Sequence, residues 1–274
     1  MNPSEELQFS TTRIVTTLAD GTTGSGTGFF ATLLKNGNSG VPVLVTNKHV
    51  VRGATNGFFR LTTQDSKGEP VIGRTYDVDL VDFEKLWIFH PDAEVDLAVM
   101  LLGPLLTGAA QIGFTIFYKA PSAEYIAKSE DLSQLSAMEE IVMVGYPIGI
   151  WDQKNNLPIF RRGITATHPA FDFNGKPEFM IDCACFPGSS GSPVFLFNTG
   201  SYCTKEGATV IGSRLKLLGI LHAGPQHTTE GKIVVRDVPT AQTAISVSSS
   251  MINLGCVVKA HRLFEFEPII AAML

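Results

Sequence analysis

The heptapeptide Pro187-Gly188-Ser189-Ser190-Gly191-Ser192-Pro193 has the composition to expose a reactive hydroxyl. Glycines beside a serine permit a sharp turn and let backbone amides come close to a bound group, and the flanking prolines hold the entry and exit of the loop. The same bend can aim the amides of Gly188 and Ser190 at one point, as stabilising a negative oxygen in acyl transfer requires. A serine there, Ser189 or Ser190, is then a nucleophile if a base reaches it. Taken alone, the loop is also ordinary turn composition. Two other segments hold groups that could complete it. Val45-Thr46-Asn47-Lys48-His49-Val50-Val51 sets a histidine at the end of an apolar run, and Glu94-Val95-Asp96-Leu97-Ala98-Val99-Met100 sets an aspartate at the mouth of another. His49 can take the serine proton as general base, and Asp96 can fix the imidazole tautomer and steady the imidazolium.

The order His49, Asp96, Ser190 is accompanied by Gly24-Ser25-Gly26-Thr27-Gly28-Phe29, by Val144-Gly145-Tyr146-Pro147, by the run from Asp182 to Val194 and by Gly219-Ile220-Leu221-His222-Ala223-Gly224. With these six motifs in order, the sequence resembles the trypsin-like serine peptidases of the chymotrypsin fold, nearest in motifs to the HtrA and glutamyl endopeptidase branches. The resemblance implies an all-β fold of two six-stranded antiparallel β-barrels with a C-terminal helix. It implies a serine endopeptidase that works through an acyl-enzyme, with His49 and Asp96 from the first barrel and Ser190 from the second meeting in the cleft between them. A catalytically silent binding module of the same fold and an esterase with the same triad are the alternatives. By the same resemblance Gly188, Ser189 and Ser190 form the oxyanion hole, and Ala184 lies at the floor of the first substrate pocket with His222, Ala223 and Gly224 beside it. Ala184 has no carboxylate to select Arg or Lys. A histidine like His222 helps glutamyl endopeptidases and viral 3C-type proteases to bind acidic or amide side chains, so a Glu or Gln preference stands beside a small or medium apolar one. No cofactor or metal is implied.

One departure concerns activation. The digestive branch carries an aspartate just before the nucleophile, which binds a new N-terminal amine released by cleavage. Here that position is Ser189, so Arg13-Ile14-Val15 is read as a coincidental likeness to their cleavage site. Activity is expected without trimming, under the control of loop ordering or a regulatory protein partner. The residues after Thr240 are too few for the PDZ module of HtrA proteins.

Composition fits ordinary globular material: 274 residues, 44% hydrophobic and 17% charged, enough to bury a sizeable core. A formal net charge of -5 without a Lys/Arg cluster gives no reason to expect nucleic acid. The expected partner is a protein or peptide substrate. Met1 to Leu7 is polar and acidic, unlike a secretory signal, and no apolar stretch approaches a membrane span, so a cytoplasmic location is expected. The four cysteines, with no paired metal spacing, are expected as buried small hydrophobes.

Strands are expected at 10–18, 29–34, 41–46, 57–63, 71–81, 85–90 and 96–102, and again at 140–145, 159–166, 178–185, 192–197, 209–222 and 232–236. The first barrel is placed at 8–118, a linker with a helical turn at 119–137, the second barrel at 138–239 and a helical segment at 240–274. In that last segment Ile252, Val257, Leu263 and Phe264 are the expected core contacts.

Overall fold

β-Branched runs broken by glycine and asparagine turns divide the chain into two successive β units. The computed structural model describes residues 1–37, 39–224, 226–232 and 245–274 of them. Helix α1 (Pro3–Leu7) precedes β1 (Thr11–Leu18), β2 (Thr23–Asn36), β3 (Ser39–Thr46), α2 (Lys48–Val51), β4 (Ala54–Gln64), β5 (Pro70–Val81), β6 (Ile88–Phe89), β7 (Ala98–Leu101) and α3 (Gly103–Gln111). Helix α4 (Ser129–Ser133) lies in the connection. The second unit holds β8 (Glu140–Gly145), β9 (Ile159–Thr165), β10 (Glu178–Asp182), β11 (Pro193–Asn198), β12 (Ser201–Cys203), β13 (Thr209–Ile211) and β14 (Arg214–Ala223). It continues through β15 (Gln226–Lys232), β16 (Ile245–Met251) and β17 (Leu254–Lys259) to α5 (Glu267–Ala271).

The first unit is one antiparallel sheet in the order β5-β4-β1-β2-β3-β7-β6, and the second is a closed barrel in the order β10-β17-β14-β11-β8-β9. The barrel of the second unit has six strands as expected, with β17 among them although it lies past the expected limit of 239. Among the described residues the first unit has seven, and no ladder joins its two edges, β5 and β6. Strand β6 is only two residues long, and the turn before it buries Phe83 and Trp87 where a longer strand would run.

Alternation explains why the central strands read as continuous apolar runs, because both of their faces are covered. Phe30 and Leu44 point into the first unit with Ile14 and Phe59, while Phe29, Val43 and Val45 point the other way. There they meet Val144, Phe195, Leu217 and Val258 of the second barrel, with Leu263, Phe266 and Ile270 of the C-terminal segment filling the same seam. Each fully buried side chain of this kind contributes roughly 1.5–3 kcal/mol, so the seam holds the two units in one orientation. Glu267 adds a polar tie, accepting the Leu34 amide at 2.8 Å.

Several boundaries differ from expectation. In the described part of the last segment, Ile245–Met251 and Leu254–Lys259 are strands, the second a barrel strand paired with both β10 and β14, and helical structure starts at Ala260. Its β-branched Val257 and Val258 and its two-sided pairing override the longer-period pattern. Val257 and Leu263 are buried and Phe264 packs on the core, but Ile252 is exposed. The strand expected at 178–185 ends at Asp182, and the one expected at 209–222 divides into β13 and β14. The strand expected at 232–236 lies outside the described residues except for Lys232, as does the barrel boundary at 239.

Candidate active site

His49 leaves the first unit on α2, the single turn that follows β3. Asn47, at its start, does not cap it; its Nδ2 donates to the Asp96 carbonyl at 2.7 Å and ties α2 to the loop before β7. The buried Lys48 reaches the same loop, where its Nζ donates to the Asp92 carbonyl at 2.7 Å. Burial draws the Lys48 ammonium below the ordinary lysine value. The loop is pinned in turn by Asp92, which accepts the Glu94 amide at 3.0 Å and Arg262 Nη2 at 2.9 Å.

Asp96 thereby arrives beside the histidine with both oxygens engaged. Oδ1 accepts the His49 amide at 3.1 Å, and Oδ2 lies 2.5 Å from His49 Nδ1. A carboxylate on Nδ1 selects the tautomer with the proton there, which leaves the Nε2 lone pair facing outward. Burial by itself raises the Asp96 pKa, but the His49 bond and charge, with help from the His49 amide and His222, hold it below the ordinary aspartate value.

Behind Asp96 stands a second pair. His222 lies on β14 where its register against β17 slips between Leu221 and Ala223, and such a bulge re-aims a side chain. Its Nδ1 is 3.9 Å from Asp96 Oδ2, and its Nε2 is 3.2 Å from Glu178 Oε1. At that distance Nε2 faces Glu178 without the alignment of a full hydrogen bond. His222 holds the Glu178 carboxyl below the ordinary glutamate value against the opposing effect of burial. Both ring nitrogens of the residue expected beside the substrate pocket therefore face the protein's own carboxylates. Glu178 escaped sequence reasoning; a carboxylate opening a buried strand was its only signal.

The loop that carries Ser190 comes from the second barrel and is stitched to β2. The Ser190 carbonyl accepts the Thr27 amide at 2.8 Å, and Thr27 Oγ1 donates to the Gly188 carbonyl at 3.0 Å. Gly26 lies at the crossing. A Cβ there would stand 2.6 Å from Val50 Cγ1, beside His49, and 3.3 Å from the Ser190 carbonyl oxygen. The glycine cluster at 24–28 therefore lets the histidine turn and the serine loop close on the same stretch of strand. Among the described residues neither Ser190 Oγ nor His49 Nε2 has a hydrogen-bond partner, and such bonds are often long before substrate binds.

Gly188 has φ +85°, and a Cβ would sit 2.7 Å from the Tyr146 carbonyl, so the turn admits nothing larger. Of the three amides expected at the oxyanion hole, that of Ser189 is spent on the Phe186 carbonyl at 3.0 Å. Those of Gly188 and Ser190 donate to no protein group among the described residues. The Ala184 carbonyl and Ser189 Oγ both accept from Arg161 Nη1, at 2.7 and 2.6 Å. Ala184 is half-buried; Ala223 is exposed at the end of β14, and the half-buried Gly224 follows it.

All four cysteines are free. Cys183 and Cys185 are buried in the second barrel, where burial pushes the Cys185 thiol up to about 12. Cys203 is exposed and Cys256 half-buried, contrary to the expectation of four buried thiols. Strand β12 belongs to a two-stranded hairpin outside the barrel, which leaves Cys203 uncovered.

The trypsin-like peptidase domain signature matches residues 26–202, a span that includes His49, Asp96 and Ser190. Two similar solved structures are the HtrA-type protease AlgW with a tripeptide and the thermostable serine protease AL20 from an extremophilic microorganism. The first shares 16% identity over 97% of this chain and 61% of its own, with a TM-score of 0.50. The second shares 14% identity over 97% of this chain and 99% of its own, with a TM-score of 0.51. The chain thus spans about three fifths of the length of the HtrA-type protease. At these identities the likeness is one of fold. No curated protein matches the sequence.

Proposed function

From the premise that the chain belongs to the trypsin-like peptidase domain family, we propose that it is a serine endopeptidase acting through His49, Asp96 and Ser190. His49 Nε2 takes the Ser190 proton as Oγ attacks the scissile carbonyl, and the Gly188 and Ser190 amides receive the resulting oxyanion. The imidazolium then gives its proton to the leaving amine, which departs and leaves an acyl group on Ser190. Water, deprotonated by His49, releases that acyl group and restores the serine. The observation that carries this reading is the two-point grip of Asp96 on the His49 ring and amide.

Substrates are peptides or proteins. With His222 engaged by Asp96 and Glu178, the reading of the first pocket that gains support is a small or medium apolar preference set by Ala184. Four free thiols, one exposed, suit a reducing compartment such as the cytoplasm. Among the described residues no helix is long and apolar enough to cross a membrane. Control is assigned to loop ordering or a regulatory protein.

A fluorophosphonate should label Ser190 in the chain uncut at Arg13, and His49→Ala should abolish that labelling. Cleavage of a peptide library then reads the pocket, and a clear Arg or Lys preference would contradict a floor formed by Ala184.

A further inference from the structure

Arg161 projects from β9 to the loop that ends at Ser190. Its Nη1 bridges the Ala184 carbonyl and Ser189 Oγ, joining the start of the loop to the residue before the nucleophile. Its Nε and Nη2 are buried without a hydrogen-bond partner among the described residues. Burial draws its pKa below the ordinary arginine value, and no carboxylate is among the charges acting on it. Other arginines of this barrel are paired: Arg162 with Glu140 at 2.5 Å and Arg214 with Glu139 at 2.6 Å. A buried guanidinium without a counterion is costly, so its retention asks for a return in function.

The loop is held from a second direction by Ile148, which has φ +52° and ψ +24°. This left-handed conformation is strained for a β-branched residue. It brings the Ile148 amide to the Pro187 carbonyl at 2.6 Å. The N–H and C=O of a trans peptide point in opposite directions. Fixing the Pro187 oxygen on Ile148 therefore turns the Gly188 amide the other way, consistent with its lack of a protein acceptor among the described residues.

We propose that Arg161 is a positioning residue that, together with the Ile148 amide, holds residues 184–190 in the form that keeps the Gly188 and Ser190 amides open. The oxyanion site is then built before substrate arrives and without chain cleavage, since the guanidinium braces an uncharged Ser189 from inside. This rests on the serine endopeptidase reading and adds how that site is kept ready.

The test compares Arg161→Ala and Arg161→Lys with the parent in the intact chain, on a peptide substrate, a peptide aldehyde and the product peptide. The aldehyde adduct places its oxygen at the oxyanion site, whereas the product peptide, used with its terminal carboxylate replaced by hydrogen, probes the pocket alone. The expected loss in Arg161→Ala is about 10- to 100-fold in kcat, somewhat less than removal of a direct oxyanion donor, with KM within about threefold. Aldehyde affinity should fall by the same factor as kcat, product affinity should hold, and added guanidinium should restore part of the rate. Unchanged kcat, or a loss of product affinity equal to the loss of aldehyde affinity, would overturn the proposal. If Arg161→Ala does not fold, Ser189→Ala removes one end of the brace, and an unchanged kcat there overturns it equally. A parent chain that neither cleaves peptides nor reacts with a fluorophosphonate would instead remove the endopeptidase reading on which the proposal stands.

Discussion

Around His49 the groups that fix the ring have found partners, while among the described residues the buried Asn47 Oδ1 and the outward His49 Nε2 have none. Asp96 uses both carboxylate oxygens on the ring and its amide, Asn47 and Lys48 are tied to the loop that carries Asp96, and Asp92 closes that loop onto Arg262. Around Ser190 donors stay unspent: the Gly188 and Ser190 amides find no acceptor among the described residues, and two nitrogens of Arg161 are buried without one. The first-barrel half needs one orientation, present before and after reaction, and the bonds that fix the ring supply that. Under the proposed mechanism the second-barrel half needs donors for a charge that exists only during reaction, and unspent amides meet that need.

Removing the two ends of the proton path should have the largest effect on this contrast. Ser190→Ala and His49→Ala are each expected to lower kcat on an activated peptide substrate by on the order of 10⁶-fold. Thermal unfolding should change little, because His49 is half exposed and Ser190 Oγ makes no bond among the described residues. Asp96→Asn comes next, with a loss of about 10⁴-fold in kcat, since an amide facing Nδ1 favours the wrong tautomer. If its rate matched that of the parent, the bonds that fix the ring would be ornamental.

Glu178→Gln sharpens the comparison through pH. The Glu178 and Asp96 pKa values are both lowered in the folded chain, so between the lowered and the ordinary carboxylate values the unfolded chain binds more protons and stability rises with pH. The contribution is complete above the ordinary range and is lost as pH falls through the folded values. Melting curves should therefore show the largest gap between parent and Glu178→Gln at neutral pH, narrowing below about pH 4. A gap that widened in acid would reverse the sign assigned to the His222 pair.

Ile148→Gly is the mildest change. Relief of left-handed strain, about 1 kcal/mol, is offset by the greater freedom of glycine in the unfolded chain, so the melting temperature should move little. Peptidase kcat should fall about two- to fivefold, well short of the loss of a direct oxyanion donor, with KM unchanged. An unaltered kcat would remove Ile148 from the support of the Pro187–Gly188 peptide.

Much of this architecture was legible before any coordinates. Runs at 71–81, 140–145 and 159–166 reappear as β5, β8 and β9 within a residue at either end. The helical turn expected in the linker is found at Ser129–Ser133. His49 and Asp96 proved to be in direct contact. Less legible was the end of the chain, where a short-period strand at Leu254–Lys259 sits within a stretch whose apolar spacing suggested helix, and where pairing on both edges decided the outcome.

Residue types, their order and their local turn chemistry settled the kind of reaction open to this chain and which strands would be covered on both faces, because those properties reside in a few neighbouring residues. Three matters awaited the folded chain: the turning of His222 toward Asp96 and Glu178, the placing of Arg161 under Ser189, and the open edge between β5 and β6. Each depends on register between segments far apart in sequence, and a slip of one residue in a strand exchanges its two faces. The groups around His49 and Ser190 therefore became visible only once the two β units had packed against each other.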